Sequence, residues 1–264
     1  MTAPRFIEGA AESERCTVFR DDAARWITGL RVLDGAGGEI EHRTGESEES
    51  GLVVLTGTHD LEANSGGWAS RGTRATPYEG RPVTLYLPPK ARLRVAGGTG
   101  ELVLVSARRP EIQAAPAVEP EPAPAKKPLL PLAGSNKAFD TASGSWQPIE
   151  SFPDSAEAIP PRRASILTID GVETRWVFPV DYKALGLCVF EAVLAEGQTL
   201  SLPGQRHGAY PEEWAVYCRT EGRALLAGAG NLDDRAAAFG VDDATLTATS
   251  GRCYVLAALA GHKP

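Results

Sequence analysis

Two blocks of this sequence combine histidine and glutamate with a following apolar strand. The first, HRTGESEESGLVVLTGTHDL, places an acidic segment before a strand that ends at Gly57. The second, LPGQRHGAYPEEWAVYCRTEGRALL, does the same before Gly222. Because residues two apart on a strand face the same side, imidazoles and a carboxylate from neighbouring strands can converge inside a small barrel. Such groups can hold a divalent metal ion, so these residue types are candidates for metal chemistry.

Other common catalytic chemistries lack their sequence patterns in this chain. There is no GxSxG nucleophile turn, no GxxxxGK[ST] phosphate loop, no HExxH zinc helix and no GxGxxG after a strand. The sequence therefore gives no support for a serine hydrolase, a P-loop nucleotidase or a dinucleotide-dependent enzyme.

Short apolar runs separated by Gly, Pro and polar turns must position any such site. In the first half these runs include GLVVLTG, VTLYL, ARLRVAGG and ELVLVSARR, and in the second half ASILTIDG, TRWVFPVD, LGLCVFEAVL, WAVYCRT and CYVLAALAG. Strands of about five residues that recur roughly every 8–12 residues are typical of an antiparallel sandwich or barrel. No segment has sustained helical periodicity, so the sequence predicts an all-β fold.

A proline- and alanine-rich stretch divides the chain into two halves with the same rhythm of strands. Residues 110–134, PEIQAAPAVEPEPAPAKKPLLPLAG, lack the apolar periodicity that a core needs and are predicted to form a semi-rigid spacer. The sequence thus predicts an N-terminal domain over 1–109, a linker over 110–134 and a C-terminal domain over 135–264.

Charge and composition exclude several classes of partner. The 264 residues carry a formal net charge of −7, and lysine and arginine do not cluster. Nucleic acid and anionic membranes are therefore not expected as partners, because phosphate binding requires concentrated positive charge. The N-terminus has neither a basic start nor an apolar stretch, and no run approaches the ~20 apolar residues of a membrane span, so we expect a cytoplasmic protein.

The four cysteines are scattered and form no CxxC pair. They are Cys16, Cys188, Cys218 and Cys253. Three of them stand in apolar runs, where a thiol behaves as a small buried hydrophobic group. We expect free buried thiols there rather than a disulfide framework.

The two histidine–glutamate blocks resemble the first cupin motif, and the string GTRATPYEGRPVTLYLPPKARLRV is similar to the KduI/IolB branch of the cupins. That branch has a G-x-R…F-E-G-x-P…Y-x-P-P signature, which is matched here by Gly72, Arg74, Tyr78 (for Phe), Glu79, Gly80, Pro82, Tyr86, Pro88 and Pro89. The resemblance covers most of the chain and is strongest over residues 45–108. It implies two jelly-roll barrels and the function of a 5-deoxy-glucuronate isomerase, an aldose–ketose isomerase of a sugar acid in inositol catabolism.

The resemblance also implies a metal site in the second barrel. The H-x-H pair of the family falls on Gln205 and His207, and its glutamate falls on Glu213, with Glu212 as the alternative. Glu213 would also be the catalytic base. The last histidine of the family has no counterpart, because no histidine occurs between residues 208 and 261. The implied site for Zn, Mn or Fe is therefore incomplete.

Two functions remain open at this point. The first is an isomerase, in which a base moves a proton between adjacent carbons while a metal or an arginine stabilises the enediolate. The second is a non-catalytic or ligand-sensing bicupin that binds a small polar or sugar-acid molecule. A metal-dependent oxygenase ranks behind both, since the second barrel lacks a set of two histidines and one carboxylate. By analogy with other bicupins we expect a homo-oligomer.

Other polar residues of the first half have competing interpretations. His42 and Glu49 occupy the slots that match the second block, and we interpret this segment as a charged loop. His59 follows a turn at Gly57 and is expected to be exposed. Arg74 either pairs with an acid within a turn-rich connection where Tyr78 packs, or joins Arg81 in holding a carboxylate ligand.

Overall fold

The structure is a computed structural model that describes residues 5–7, 17–18, 26–35, 38–63, 66–109, 130–131, 137–140, 145–148, 165–178, 186–203 and 211–261. These residues form β-strands and turns and contain no α-helix. The predicted all-β fold is confirmed. Among the described residues, no helix is long and apolar enough to cross a membrane.

The first half of the chain forms two antiparallel sheets. Their strands are β2 (Thr17–Val18), β3 (Ile27–Asp34), β4 (Ile40–Arg43), β5 (Glu48–Val54), β6 (Thr58–Ala63), β7 (Gly66–Arg71), β8 (Val83–Leu87), β9 (Arg92–Thr99) and β10 (Glu101–Arg108). The inner sheet has the order β2-β3-β10-β5-β8, and the outer sheet has the order β4-β9-β6-β7. Together these sheets make the N-terminal barrel.

The second half repeats this arrangement. Its strands are β14 (Ser165–Ile169), β15 (Val172–Phe178), β16 (Leu187–Leu194), β17 (Thr199–Leu202), β18 (Glu213–Thr220), β19 (Arg223–Leu226), β20 (Gly230–Leu232), β21 (Ala237–Gly240), β22 (Ala244–Ser250) and β23 (Cys253–Ala260). The outer sheet of this C-terminal barrel has the order β17-β22-β19-β20. Its inner sheet has the order β1-β21-β18-β23-β16-β15-β14, where β1 is Arg5–Ile7.

The N-terminal strand therefore belongs to the C-terminal sheet. Arg5–Ile7 pairs antiparallel with β21, although the domain prediction places residues 1–109 in the first unit. Most of the predicted linker lies outside the described residues. Its residues Leu130–Pro131 form β11, which pairs with β12 (Lys137–Asp140), and β12 pairs with β13 (Ser145–Pro148) in a small separate sheet.

Turn chemistry explains where several strands end. The hairpin between β14 and β15 has Asp170 and Gly171 at its tip with φ of 51° and 78°, as the two central residues of a type I′ turn require. Gly57, between β5 and β6, has φ of 76°, and a Cβ there would lie 1.7 Å from the carbonyl oxygen of Thr99. Glycine is thus the residue that fits the close approach of these two chain segments.

Alternation along the strands separates three apolar cores, which lie between four layers of sheet. The interior of the N-terminal barrel contains residues such as Leu52, Val54, Leu93 and Leu104, and that of the C-terminal barrel contains Trp214, Val216, Phe190 and Leu246. The third core lies between the two inner sheets and includes Leu30, Val53, Val105, Phe178, Tyr217 and Tyr254. The two barrels thus share a large buried apolar interface.

Buried thiols are part of this packing. Cys218 and Cys253 are free thiols, and both lie with Cys188 in the buried interior core of the C-terminal barrel. The expectation that these three thiols are buried is confirmed. Cys16 lies outside the described residues.

Candidate functional site

Glu213 begins β18, where alternate side chains face opposite sides of the inner sheet. Trp214, Val216 and Cys218 lie in the interior of the C-terminal barrel, whereas Ala215 and Tyr217 lie in the core between the barrels. Glu213 is in phase with the second group, so its side chain faces the N-terminal barrel. It is only 3% exposed.

The carboxylate of Glu213 binds two backbone amides of the other barrel. Its Oε2 accepts hydrogen bonds of 2.8 Å from the backbone N–H of Trp26 and 2.8 Å from that of Ile27, at the start of β3. Hydrogen bonds to an ionised acceptor are stronger than neutral ones, and here both donors are buried. Glu213 therefore connects the two barrels.

Glu49 makes the reciprocal connection from β5. Its Oε1 accepts hydrogen bonds of 2.8 Å from each of the backbone N–H groups of Gly186 and Leu187, at the start of β16. Its Oε2 accepts a hydrogen bond from the Tyr86 hydroxyl at 2.8 Å. Glu49 is fully buried. Each barrel thus offers one glutamate to the first residues of the matching strand in the other, and we call Glu49 and Glu213 the reciprocal carboxylates.

The other predicted metal ligands fall outside the described part of the chain. Gln205 and His207 lie within residues 204–210, which the structure does not describe, and their roles remain predictions. Glu212 precedes β18, is half-buried, and donates its backbone N–H to the carbonyl oxygen of Ala260. Among the described residues, no three His, Cys, Asp or Glu side chains group together as a metal site would require. With Glu213 facing away from the barrel interior, the residues that are described do not fit a metal ion.

Trp214, the residue that follows Glu213 in β18, fills part of the interior of the C-terminal barrel. Its ring is fully buried, and its Nε1 donates a hydrogen bond of 2.8 Å to the carbonyl oxygen of Asp242. Gly240 pairs with Trp214 across the strands, and a Cβ on Gly240 would lie 2.2 Å from Cζ2 of this ring. The close fit identifies Trp214 as part of a packed core.

This fit predicts that Gly240→Ala destabilises the protein by about 1–3 kcal/mol, because overpacking forces a large ring out of its position. Urea denaturation followed by tryptophan fluorescence measures the change. Gly97→Ala is the matched control, since a Cβ on Gly97 would meet no atom within 4 Å. Equal stabilities for the two variants would contradict the packing role of Trp214.

The interior of the N-terminal barrel is different, because one end of it is polar. On the inner sheet, Ser50 lies opposite Ser106, and the next inward pair towards the barrel end is Glu48 and Arg108. Across β3, Arg31 lies opposite Leu104, which is part of the interior core. On the outer sheet, His42 follows the interior residue Ile40 by two positions and so faces inward.

Hydrogen bonds connect these polar side chains. His42 Nε2 lies 3.1 Å from Ser50 Oγ, which lies 2.7 Å from Ser106 Oγ. Glu48 Oε1 accepts a hydrogen bond of 2.7 Å from Thr28 Oγ1. We call Thr28, Arg31, His42, Glu48, Ser50 and Ser106 the N-terminal mouth. Its two serines are buried, while the other four side chains are half-buried, so the mouth is accessible above a buried pair of hydroxyls.

Burial favours the neutral form of the histidine in the mouth. Burial is the main cause that lowers the pKa of His42, the carboxylate of Glu48 opposes this shift, and the charge of Arg31 adds to it. Burial also lowers the pKa of Arg31. A neutral imidazole beside two hydroxyls can both donate and accept hydrogen bonds.

Three of the six positions of the mouth have apolar counterparts in the described part of the other barrel. Aligning Glu49 with Glu213 and following the strand pairings shows which residues of the two barrels occupy equivalent positions. Ser50 is equivalent to Trp214, Ser106 to Leu259, and Arg31 to Phe190. The three C-terminal residues belong to the apolar interior core. In these positions the polar interior belongs to the N-terminal barrel.

The structure corrects two sequence interpretations in this region. The segment with His42 and Glu49 is not a charged loop, because His42 lies in β4 and Glu49 lies in β5. His59 is not exposed; it is fully buried, and its Nε2 lies 3.1 Å from the carbonyl oxygen of Thr56. Alternating polarity around Ile40 and His42 was a weak signal for an inward-facing histidine, and the many acids of the segment obscured it.

Arg74 lies at the interface between the barrels. Its Nη1 binds Glu191 Oε2 at 2.9 Å, and both side chains are buried. Tyr78 packs against the core between the barrels, with the guanidinium of Arg252 over its ring. The interpretation in which Arg74 pairs with an acid is confirmed. Arg81, its proposed partner in a ligand site, is exposed.

Comparisons with known proteins agree with this architecture. Residues 6–127 match the KduI/IolB family. Among solved structures, an IolB-like protein from Salmonella typhimurium LT2 superposes with a TM-score of 0.69 and 17% identity, over 99% of this chain and 93% of its own. A variant of oxalate decarboxylase from Bacillus subtilis gives a TM-score of 0.55 and 11% identity, over 99% of this chain and 78% of its own.

A quercetin 2,3-dioxygenase from Acinetobacter baumannii gives a TM-score of 0.53 and 12% identity, over 97% of this chain and 77% of its own. No curated protein matches the sequence. At such identities the similarity of the structures concerns the fold, and it confirms the two predicted jelly-roll barrels.

Proposed function

Through residues 6–127 the chain belongs to the KduI/IolB family, and from this premise we propose that it is a bicupin that binds a small polar, sugar-acid-like molecule without a metal-dependent reaction at Glu213. The family supports a sugar-isomerase-like or related role. The observation that carries the proposal is the engagement of Glu213 by two buried amides of the other barrel.

A carboxylate in this position is poorly suited to act as a metal ligand or a base. To turn towards the barrel interior, Glu213 would have to leave the backbone N–H groups of Trp26 and Ile27 without their acceptor. Each buried donor left unsatisfied costs about 1–3 kcal/mol. The interior that it would enter is already occupied by the ring of Trp214.

The isomerase is the second candidate function, and the family match favours it. In that case Gln205, His207 and Glu213 would hold a divalent metal, and Glu213 would also move the proton between adjacent carbons. The amide oxygen of Gln205 is a weaker ligand for such an ion than the imidazole of the family pattern.

Metal analysis of the purified chain, followed by an isomerase assay with a 5-deoxy-glucuronate-type substrate, separates the two candidates. We expect the purified wild-type chain to contain less than one equivalent of Zn, Mn or Fe, and His207→Ala to contain the same amount. We also expect a chelator to leave the stability of the wild-type chain unchanged. A stoichiometric metal that disappears in His207→Ala together with isomerase activity would establish the second candidate and overturn the first.

A further inference from the structure

We propose that the N-terminal mouth is the binding site for the carboxylate and an adjacent hydroxyl of a small hydroxy acid. This inference rests on the proposed function, because it assigns a site and a chemical class to the ligand of the bicupin. It places that site on residues of the first barrel, whereas the predicted metal ligands Gln205, His207 and Glu213 belong to the second half of the sequence.

Arg31 supplies the positive charge of the site. Its side chain is half-buried on the inward face of β3, and within the described residues its buried Nε has no hydrogen-bond acceptor. A guanidinium presents a planar fork of N–H donors that matches a carboxylate in a bidentate geometry. An arginine that is partly removed from water and has donors to spare is suited to bind an anion.

The nearby acid of the mouth does not satisfy this arginine. Both oxygens of Glu48 are engaged, Oε1 by the hydroxyl of Thr28 at 2.7 Å and Oε2 by the backbone N–H of Gly45 at 3.0 Å. No ion pair joins Glu48 to Arg31 within the portion of the chain that is described. The Nε donor of the guanidinium, which has no acceptor among the described residues, can therefore bind the carboxylate of a ligand.

The buried hydroxyls give the site its second element. Ser50, Ser106 and neutral His42 form a hydrogen-bonded chain whose members can each donate or accept. A hydroxyl of the ligand can therefore bind to these three side chains either as a hydrogen-bond donor or as an acceptor. Below the serines the interior becomes apolar, with Leu52 and Leu104 next along the strands, so the polar part of the ligand should stop at the serine pair.

Calorimetric titration of the full chain with D-glucuronate tests the inference, and D-glucose is the probe that lacks the carboxylate. We expect saturable binding of D-glucuronate and at least about tenfold weaker binding of D-glucose, since a charged hydrogen-bonded pair contributes more than a neutral contact. A folded wild-type protein that binds neither sugar, or binds both equally, would overturn the inference.

Substitutions locate the site. We expect Arg31→Gln to weaken D-glucuronate binding by about ten- to a hundredfold. Arg31→Lys should weaken it less, because it keeps the charge but loses the planar fork. Ser106→Ala should weaken binding severalfold, because it removes one hydroxyl of the chain. Arg223→Gln is the matched control, since Arg223 is exposed on the outer sheet of the C-terminal barrel.

The results also separate failure of this inference from failure of the proposed function. If D-glucuronate binds but neither Arg31 variant changes its affinity, the mouth is not the site, although the chain still binds a sugar acid. If binding depends on His207 together with a stoichiometric metal and isomerase activity, the proposed function fails as well. If Arg31→Gln does not fold, the affinities of Arg31→Lys and Ser106→Ala for D-glucuronate decide whether the mouth is the binding site.

Discussion

Replacing Glu213 by alanine is expected to lower the free energy of unfolding by about 2–5 kcal/mol, because two buried backbone donors lose their acceptor at once. The donors are the N–H groups of Trp26 and Ile27, each 2.8 Å from Glu213 Oε2. Urea denaturation of the purified variant measures this change. The same substitution at Glu49 should have a similar effect, since its Oε1 serves Gly186 and Leu187 in the same way.

Glu213→Gln distinguishes the connection between the barrels from a role in metal chemistry. The amide oxygen of glutamine can still accept from the two N–H groups, so we expect a smaller loss, about 1–2 kcal/mol, from the missing charge. Glu46→Ala is the control and should change stability by less than about 0.5 kcal/mol, because that side chain is 83% exposed in a surface ion pair with Lys90. A Glu213→Ala variant with wild-type stability but lost metal binding would contradict the structural role of Glu213.

The strands could be predicted because their local sequence is consistent with them. The run VTLYL, with prolines on either side, forms β8. The segment TIDGVE forms a β-hairpin whose two-residue turn has positive φ at Asp170 and Gly171. The matches to the KduI/IolB signature lie in β8 and in the connections before and after it. These features depend on neighbouring residues, which a sequence displays directly.

The direction in which Glu213 points could not be predicted in this way. Alternation of polar and apolar residues identifies the inward face of a strand only when one face meets water. Residues 213–218 of β18 are buried on both faces, because one face lines the barrel and the other lies against the second barrel. The sequence EEWAVYC therefore has no polar phase that separates the two sides.

The partners of the reciprocal carboxylates could not be predicted either, because each glutamate is far from its partners in the sequence. Glu213 binds residues 186 and 187 positions away, and Glu49 binds residues 137 and 138 positions away. Backbone N–H groups have no sequence signature, so any strand start could have been the partner. A general resemblance to a two-barrel family predicts that the inner sheets meet but not which side chains cross between them.

The N-terminal mouth shows a third limit of sequence interpretation. His42 and Glu48 stand in a segment so rich in acids that a solvated loop was the natural interpretation, and Arg31 lies in a different run of sequence. The three side chains come together because β3 and β5 both pair with β10, while β4 covers them from the outer sheet. Their common location follows from sheet order, which local patterns do not determine.

The second large effect is expected at Arg74, where Arg74→Met should lower the free energy of unfolding by about 3–5 kcal/mol. The substitution leaves the carboxylate of Glu191 buried without its ion partner, and an uncompensated buried charge is strongly destabilising. The loss should fall near the lower end of this range, because Arg175 Nη1 lies 3.7 Å from Glu191 Oε1 and remains. Urea denaturation again provides the measurement.

The double variant Arg74→Met/Glu191→Gln tests whether charge is the cause. Glutamine removes the negative charge yet keeps an acceptor for the hydroxyl of Tyr254, which lies 2.9 Å from Glu191 Oε2. If the unpaired charge causes the loss, the double variant should recover at least half of the stability lost in Arg74→Met. A double variant that is no more stable than Arg74→Met would show instead that Arg74 acts through its own packing and its hydrogen bond to the carbonyl oxygen of Pro77. The interface between the barrels would then depend on the shape of this connection rather than on its buried ion pair.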